Sequence, residues 1–236
     1  MARAALSFVL ATVLLSSLAE AQVPAGEDTW DGGFDLTQER RAAVALGVAA
    51  GVAAGESHGV LNEVEQLNDD SFQQSTGFAF GDDAMAWLGG ALTDWFTVGL
   101  GFAAGSYRGG ELQVRRQSYL FRIDAYPLYS LGGGWRDLGV AMDTGVGRFR
   151  GFQTSGEEAK VIEGGSVMSV GIGGFWEGLR FARQHFGAGP FVHYRLLRGL
   201  PSTSHTASLG LRLTCYTGKL ASPSAPQQAS VGRRRF

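Results

Sequence analysis

Residues 84–107, AMAWLGGALTDWFTVGLGFAAGSY, contain the strand pattern on which the predicted fold rests. From position 96 onward, bulky and small residues alternate; the bulkier positions are Phe96, Val98, Leu100, Phe102 and Ala104, and the positions between them are Thr97, Gly99, Gly101, Ala103 and Gly105. A period of two is typical of a β-strand whose two faces differ. Because one face is nearly bare of side chains, it would pack poorly as the outer surface of a soluble sheet. It suits the crowded lumen of a narrow barrel whose bulky face meets lipid.

The same two-residue period recurs along the chain. It predicts strands at residues 41–55, 77–92, 96–107, 118–129, 138–149, 166–175, 187–198 and 205–216. Thr93-Asp94-Trp95 is predicted as the tight turn after the second strand, and that strand is expected to be irregular around Asp82-Asp83, outside the membrane. The number of strands is even, and each is near the roughly 9–11 residues that a tilted strand needs to cross a membrane. The sequence therefore predicts an all-β fold, an eight-stranded antiparallel up-and-down transmembrane β-barrel over residues 41–216.

Composition narrows the range of functions. The net charge of -2 over 236 residues gives no footprint of nucleic-acid binding, so no nucleic-acid partner is expected. The single cysteine, Cys215, excludes an internal disulfide and a cysteine-based metal cluster. The 36 glycines follow the strand period rather than a nucleotide-binding motif. No metal-ligand spacing accompanies them, so neither a cofactor nor a metal is expected.

The first residues predict export. Arg3 supplies a positive charge before the uncharged, largely apolar run of residues 5–18, and Ala19-Glu20-Ala21 is typical of a cleavage site. Residues 1–21 are therefore predicted to be a signal peptide, followed by a polar periplasmic leader at residues 22–40. No later apolar run approaches the roughly 20 residues of a transmembrane helix.

Aromatic residues mark one end of the predicted barrel. The connections after the second, fourth and sixth strands are mostly short, and each contains a tryptophan: Trp95, Trp135 or Trp176. Tyr216 ends the last strand on the same side. Four amphipathic aromatic residues at one level are typical of an interfacial girdle. The other connections are polar and mostly long, which predicts outer loops at the opposite end.

Charged residues recur at inward positions of the predicted barrel. They are Arg122, Asp124, Asp143, His193, Arg195 and Arg212. Charges are costly toward lipid but natural in a polar lumen, and a barrel of this size is just wide enough for side chains to fill. Arg122 and Arg212 are predicted to form a buried ion-pair plug with Asp124 and Asp143, because unpaired charges there would be prohibitive. The alternative is a site for a ligand or an ion.

Residues 41–216 resemble the small eight-stranded outer-membrane β-barrel proteins of Gram-negative bacteria. The hairpins ALTDWFTVGLGF (residues 91–102) and GGFWEGLRFARQHFGAGPFVHY (residues 173–194) and the last strand carry the resemblance. In that family a polar residue, a glycine and spaced hydrophobic residues of the final strand signal to the barrel-insertion machinery. The residues here that occupy this pattern are Ser208, Gly210, Leu213 and Cys215. The resemblance implies an outer-membrane location, contact with membrane lipid, assembly by that machinery and a monomer.

The chain departs from the family at its C-terminal end. Such proteins usually end on an aromatic residue at the end of the last strand, whereas this sequence continues for 20 residues after Tyr216. Residues 217–236 contain prolines, serines and three consecutive arginines. They are predicted to form a disordered periplasmic tail.

The predicted role is structural, or one of surface interaction through the outer loops, without a general diffusion pore. A soluble periplasmic barrel or sandwich that binds a small lipid is the first alternative, and an outer-membrane enzyme that modifies lipid is the second. The resemblance implies that such enzymes use a serine and a histidine near the rim. Ser204 and His205 are adjacent, so their side chains should point to opposite faces of a strand, and catalysis is not expected.

Overall fold

The computed structural model describes residue 41 and residues 43–60, 72–154, 160–181, 185–200 and 202–217. The predicted signal peptide, the periplasmic leader and the tail beyond residue 217 lie outside these described residues, as do parts of the first and third polar connections. Within the described part of the chain, no helix is long and apolar enough to cross a membrane.

Ten β-strands make up most of the described chain. They are β1 (Ala43–Gly59), β2 (Gln74–Ser75), β3 (Ala79–Thr93), β4 (Phe96–Gly109), β5 (Leu112–Ala125), β6 (Leu138–Gln153), β7 (Lys160–Trp176), β8 (Leu179–Phe181), β9 (Phe186–Arg198) and β10 (Thr203–Tyr216). Two 3-10 helices, Tyr129–Leu131 and Gly133–Asp137, lie between β5 and β6. The eight long strands pair antiparallel in the order β10-β1-β3-β4-β5-β6-β7-β9, and β9 pairs with β10 to close the ring. The predicted fold class is confirmed.

Residues that alternate along each strand lie alternately on the outside and the inside of this ring. Bulky apolar residues at alternate positions form an exposed belt that includes Val52, Leu100, Tyr119, Met142, Ile172, Val192, Leu209 and Leu211. Leu100 and Leu211 are each 70% exposed. A soluble protein would leave this belt in contact with water, whereas in a bilayer it contacts lipid.

The two ends of the barrel differ. β1 begins and β10 ends at one end, which we call the terminal end, and the opposite end is the distal end. Toward the distal end the strands extend beyond the apolar belt, and their outward positions become polar, as at Glu56, Arg108 and Arg115. These extensions indicate strands that project out of the hydrocarbon layer.

The strand ends at the distal end differ from the prediction. The predicted loop at residues 108–117 is a two-residue turn, because β4 continues to Gly109 and β5 begins at Leu112. Gly110, in this turn, has a φ of 57°, which glycine adopts without a steric penalty. β7 begins at Lys160 and so shortens the third predicted loop as well. Polar residues in these segments belong to projecting strands, so loop length does not distinguish the two ends as predicted.

The pairing of β3 also differs from the prediction. Asp82 and Asp83 continue the ladder with β4 without interruption, and the register shifts instead between Ala91 and Thr93, beside the tight turn. The two aspartates lie on opposite faces. Asp82 accepts a hydrogen bond from Ser106 on the outside, while Asp83 is buried inside the barrel.

Apolar side chains fill the lumen at two levels. The distal cluster consists of Ala79, Tyr107, Val114, Phe149, Ile162, Val167 and Leu197. The inner cluster, nearer the terminal end, consists of Ala49, Met85, Trp87, Ala103, Leu120, Tyr126, Ala141, Phe175 and Phe191. Glycine provides the space for the largest of these side chains, because a Cβ atom at Gly47 would collide with the Trp87 ring. Charged residues occupy the lumen between and beside the two clusters.

Candidate functional site: a charged lumen

All six residues predicted at the polar lumen point inward and are buried. Arg122 and Asp124 come from β5, Asp143 from β6, His193 and Arg195 from β9, and Arg212 from β10. Each has the same strand parity as buried neighbours, as Arg122 has with Leu120, and this parity sets the direction of the side chain. Because the barrel is closed, the inward side chains of these four strands share one lumen.

Asp124 joins two arginines in this interior. Its Oδ1 atom lies 2.9 Å from Nη2 of Arg122, and its Oδ2 atom accepts a hydrogen bond of 2.9 Å from Nη2 of Arg212. Arg122 also faces Asp143, with 3.9 Å between Nη1 and Oδ2. The guanidinium group suits this arrangement, because its fork of donors can face more than one carboxylate.

Asp143 and Asp83 continue the series of charges toward the distal end. Oδ2 of Asp143 lies 2.8 Å from Nε2 of His193, and Oδ1 lies 3.6 Å from Nε of Arg195. Arg195 approaches Oδ1 of Asp83 to 3.6 Å, and the same oxygen is 3.0 Å from Nη2 of Arg116. Positive and negative groups therefore alternate along the lumen.

Aromatic rings pack against the two central arginines. The Cζ atom of Arg122 lies 4.5 Å from the centroid of the Trp87 ring. Cζ of Arg212 lies 4.8 Å from the same ring and 3.6 Å from the ring of Phe175. Cation–π contacts of this kind stabilise a guanidinium that has lost its water. The inner apolar cluster thus helps to hold the charges in place.

Glu177 is the centre of a second set of contacts, at the terminal end. It follows β7 directly and is fully buried. Its Oε1 atom lies 2.7 Å from Nη2 of Arg212 and accepts a hydrogen bond of 2.8 Å from Thr214. Its Oε2 atom accepts hydrogen bonds of 2.9 Å from Tyr126 and 3.0 Å from Tyr216. So many donors favour the charged form of the carboxyl group.

Arg41 closes the terminal mouth of the barrel. Its guanidinium lies 3.4 Å from the centroid of the Tyr126 ring and 2.9 Å from Oδ1 of Asp137. Its backbone N–H donates a hydrogen bond of 2.7 Å to Oδ1 of Asp94. Asp137 is also 3.1 Å from Arg180. Arg41, two residues before β1, and the three connections of this end are therefore tied together.

The charges at this mouth shift the pKa values of two groups that lie outside the membrane-spanning strands. Burial acts to raise the pKa of Glu177, but three nearby guanidinium groups, that of Arg212 foremost, outweigh burial and lower the pKa to about 2. Burial raises the pKa of Tyr126 to about 12. Tyr126 therefore stays protonated, and its hydroxyl donates a hydrogen bond to the charged carboxylate of Glu177.

Several residues of this network were not among the sequence predictions, among them Asp83, Arg116, Arg41 and Glu177. Asp83 and Arg116 occupy inward strand positions, and extending the alternation of the flanking residues would have found both. Arg116 falls in the segment predicted as a loop. Glu177 and Arg41 lie outside the strands, where the two-residue period does not apply, and only the closed barrel brings them together.

The three predicted girdle tryptophans lie exposed at the terminal end. Trp95, Trp135 and Trp176 are 50%, 59% and 37% exposed. Tyr216 does not join them and the prediction for it is wrong, because its side chain is buried and donates to Glu177. Strand parity is the reason: Thr214 and Tyr216 both point inward, and Cys215 between them points outward.

The four residues of the predicted insertion signal lie in β10. Ser208 and Gly210 occupy inward positions, whereas Leu213 and Cys215 occupy outward ones. Their role in assembly stays a prediction.

Ser204 and His205 lie on opposite faces of β10. The Ser204 hydroxyl is buried, 2.6 Å from the hydroxyl of Tyr107, and Nδ1 of His205 is 2.6 Å from the hydroxyl of Tyr194 on the outside. This geometry does not let the pair act together as nucleophile and base. Among the described residues, no group of three or more His, Cys, Asp or Glu side chains is placed to hold a metal ion.

A closed ring with an apolar exterior and a charged, paired interior defines the class of the protein. Open sheet edges and exposed backbone cannot cross a bilayer, whereas a closed barrel satisfies its backbone hydrogen bonds internally. The protein is an integral outer-membrane β-barrel. Its interior holds charges in fixed pairs, such as Asp143 with His193 and Arg195.

The comparisons with known proteins concern the fold. No family model and no curated protein matches the chain. The fold is similar to that of Ail, the attachment invasion locus protein of Yersinia pestis, at 11% identity and a TM-score of 0.45, over 74% of this chain and 99% of that one. It is similar to Neisserial surface protein A at 8% identity and a TM-score of 0.44, over 72% and 97% of the two chains. The N-terminal β-barrel domain of Pseudomonas aeruginosa OprF aligns at 12% identity and a TM-score of 0.36, over 70% and 98%.

Proposed function

We propose that the protein is a structural barrel with a sealed lumen, which acts at the cell surface through its distal rim and is not a general diffusion pore. The observation that carries this proposal is the series of ion pairs that runs without a break from Arg116 to Glu177. Salt bridges of buried groups are costly to separate, because each partner would be left as an unpaired charge away from water. A lumen filled in this way resists opening.

The ends of the lumen support the same proposal. The distal cluster places Phe149, Ile162 and Leu197, all fully buried, at the distal end of the lumen, where Phe149 lies opposite Arg116 in the ladder. At the terminal mouth, Arg41 and its partners tie the connections to one another. An ion crossing the barrel would therefore meet an apolar layer at one end and a paired charge cluster at the other.

The proposed orientation places the distal end outside the cell. Chains exported with a signal peptide keep both ends of an even-stranded barrel in the periplasm, because each pair of strands returns the chain to the side from which it started. The projecting ends of the strands, with Arg108 and Arg115 on their outer surface, then form the surface available to external partners.

Conductance across a planar bilayer tests the sealed lumen. The refolded full chain is inserted, and insertion is verified independently by flotation with vesicles and by protection from protease. We expect no stepwise current from the inserted protein. Reproducible conductance steps, of the size expected for a water-filled channel, would overturn the proposal.

A further inference from the structure

Three arginines lie together on the outer surface near the distal end. They are Arg115 on β5 and Arg148 and Arg150 on β6. Arg115 and Arg150 are directly opposite in the ladder between the two strands. Like charges in this position repel each other across the ladder, so an acidic group or a bound anion beside them is favourable.

The contacts of these side chains hold them at one place on the wall. Nε of Arg150 lies 3.2 Å from Glu163, and the guanidinium of Arg148 donates to the side-chain oxygen of Gln117 when the amide is oriented toward it. Cζ of Arg115 lies 5.1 Å from the centroid of the Phe152 ring. The guanidinium groups are thus positioned by neighbours on the wall.

An open cavity of about 420 Å³ lies beside them. It exists because β7 has an irregularity opposite Arg148: Gly147 pairs with Val167, but Phe149 pairs with Gly164. The two intervening residues, Gly165 and Ser166, are small and exposed, so the wall recedes there. The residues that line the cavity are Gln117, Tyr119, Val146, Gly147, Arg148, Arg150, Gly165 and Ser166. None of these eight described lining residues is acidic, and two are arginines.

The cavity spans the boundary between lipid tails and headgroups. Tyr119 and Val146 belong to the apolar belt and are 64% and 59% exposed. Arg148 and Arg150 are the next two outward positions of β6 after Val146, and each pair of residues advances a strand by about 7 Å. A lipid whose acyl chain lies against Val146 would therefore hold its headgroup at the level of the guanidiniums.

We propose that this arginine cavity binds the phosphate of an anionic lipid of the outer leaflet, with Arg148 and Arg150 as the direct phosphate ligands and Arg115 beside them. Guanidinium and phosphate groups match in charge and in the geometry of paired hydrogen bonds. The apolar floor selects a lipid over a soluble phosphate. The inference rests on the proposed orientation, in which the distal end faces outward.

Titration of the refolded full chain in neutral detergent tests the site. The probe is lipid A with both phosphates, and bound lipid is counted by native mass spectrometry. Changing Arg148→Gln and Arg150→Gln together should weaken binding by roughly tenfold or more, since hydrogen bonds to charged groups are among the strong ones. Arg198→Gln removes an exposed outward arginine of β9 that does not line the cavity, and it should bind like the wild type.

Three results would overturn the proposal. These are equal affinity of the wild type and the double variant, an equal loss in the Arg198→Gln control, and binding of inorganic phosphate or dephosphorylated lipid A as tight as that of lipid A. Heat-dependent gel mobility verifies that each variant is folded. The orientation is tested separately with Glu111→Cys in a Cys215→Ser background. An impermeant thiol reagent should label this exposed distal turn on intact cells, and absence of labelling would reject the orientation without affecting the binding result.

Discussion

The Nη2 atom of Arg212 lies 2.7 Å from Oε1 of Glu177, although one residue belongs to β10 and the other follows β7. The same Nη2 atom donates to Asp124 at 2.9 Å. Arg212 therefore connects the charges of the membrane-spanning lumen to the cluster that closes the terminal mouth. The barrel has one continuous interior network rather than two separate ones.

Removing the charge of Glu177 should destabilise the barrel. Glu177→Gln leaves the guanidinium of Arg212 with one fewer carboxylate in a buried site, and breaking a buried pair costs about 3–5 kcal/mol. The free energy of unfolding in urea, measured on protein refolded in detergent, gives the loss. Glu56→Gln, at an exposed carboxylate that pairs with His58, is the matched control and should cost no more than about 1 kcal/mol. Equal stability of the two variants would show that the Glu177 contacts contribute little.

Acid should weaken the fold through the same residue. The folded-state pKa of Glu177 is about 2, below its ordinary value of 4.5, so its stabilisation is complete above about pH 4.5 and is lost as the pH falls toward 2. The difference corresponds to about 3 kcal/mol. Unfolding free energies at pH 6 and pH 3 should therefore differ more for the wild type than for Glu177→Gln. The same pH dependence in both proteins would assign acid sensitivity to other groups.

A charge on the outer belt should impair membrane assembly. Leu100 is 70% exposed in the apolar belt of β4, and an arginine at the bilayer midplane of a barrel costs about 2–4 kcal/mol. The yield of Leu100→Arg folded into lipid vesicles should fall accordingly. Leu200→Arg, at a residue 98% exposed beyond the end of β9, should fold like the wild type. If the two variants folded equally well, the belt would not face lipid.

The glycine beneath Trp87 should tolerate no side chain. A Cβ atom at Gly47 would collide with the indole ring, which also packs against Arg122 and Arg212. Gly47→Ala should lower the free energy of unfolding by about 1–3 kcal/mol, as overpacking does. At Gly90 the nearest atom to an added Cβ is 3.8 Å away, so Gly90→Ala is a control that should be nearly neutral. A neutral result at Gly47 would mean that the ring has room to move.

The fold could be predicted from the sequence because alternate residues of a strand between lipid and lumen face different environments. Their side chains therefore alternate in type with a period of two residues. That period correctly placed Leu100 outside and Asp124 inside. Predictions from this period failed where the strands extend beyond the lipid and their outward residues no longer need to be apolar. Beyond the lipid, outward positions such as Arg115 become polar, so a projecting strand has the composition of a loop.

The terminal mouth could not be predicted for a different reason. Glu177 and Arg41 lie outside the strands, and their positions depend on which connections meet when the barrel closes. The prediction for Tyr216 was wrong because it relied on residue type alone. An amphipathic tyrosine is typical of the interface, but the position of Tyr216 on β10 directs its side chain inward. Where residue type and strand parity disagree, as they do here, parity determines the side of the sheet.

Electrophoretic mobility of the full chain from purified outer membranes, with and without boiling, shows whether the protein forms a closed transmembrane barrel. A closed barrel with this paired interior should resist detergent unboiled, run as a compact, fast band and shift to slower mobility after heating. A soluble periplasmic protein whose band does not shift would show that the chain does not form this barrel.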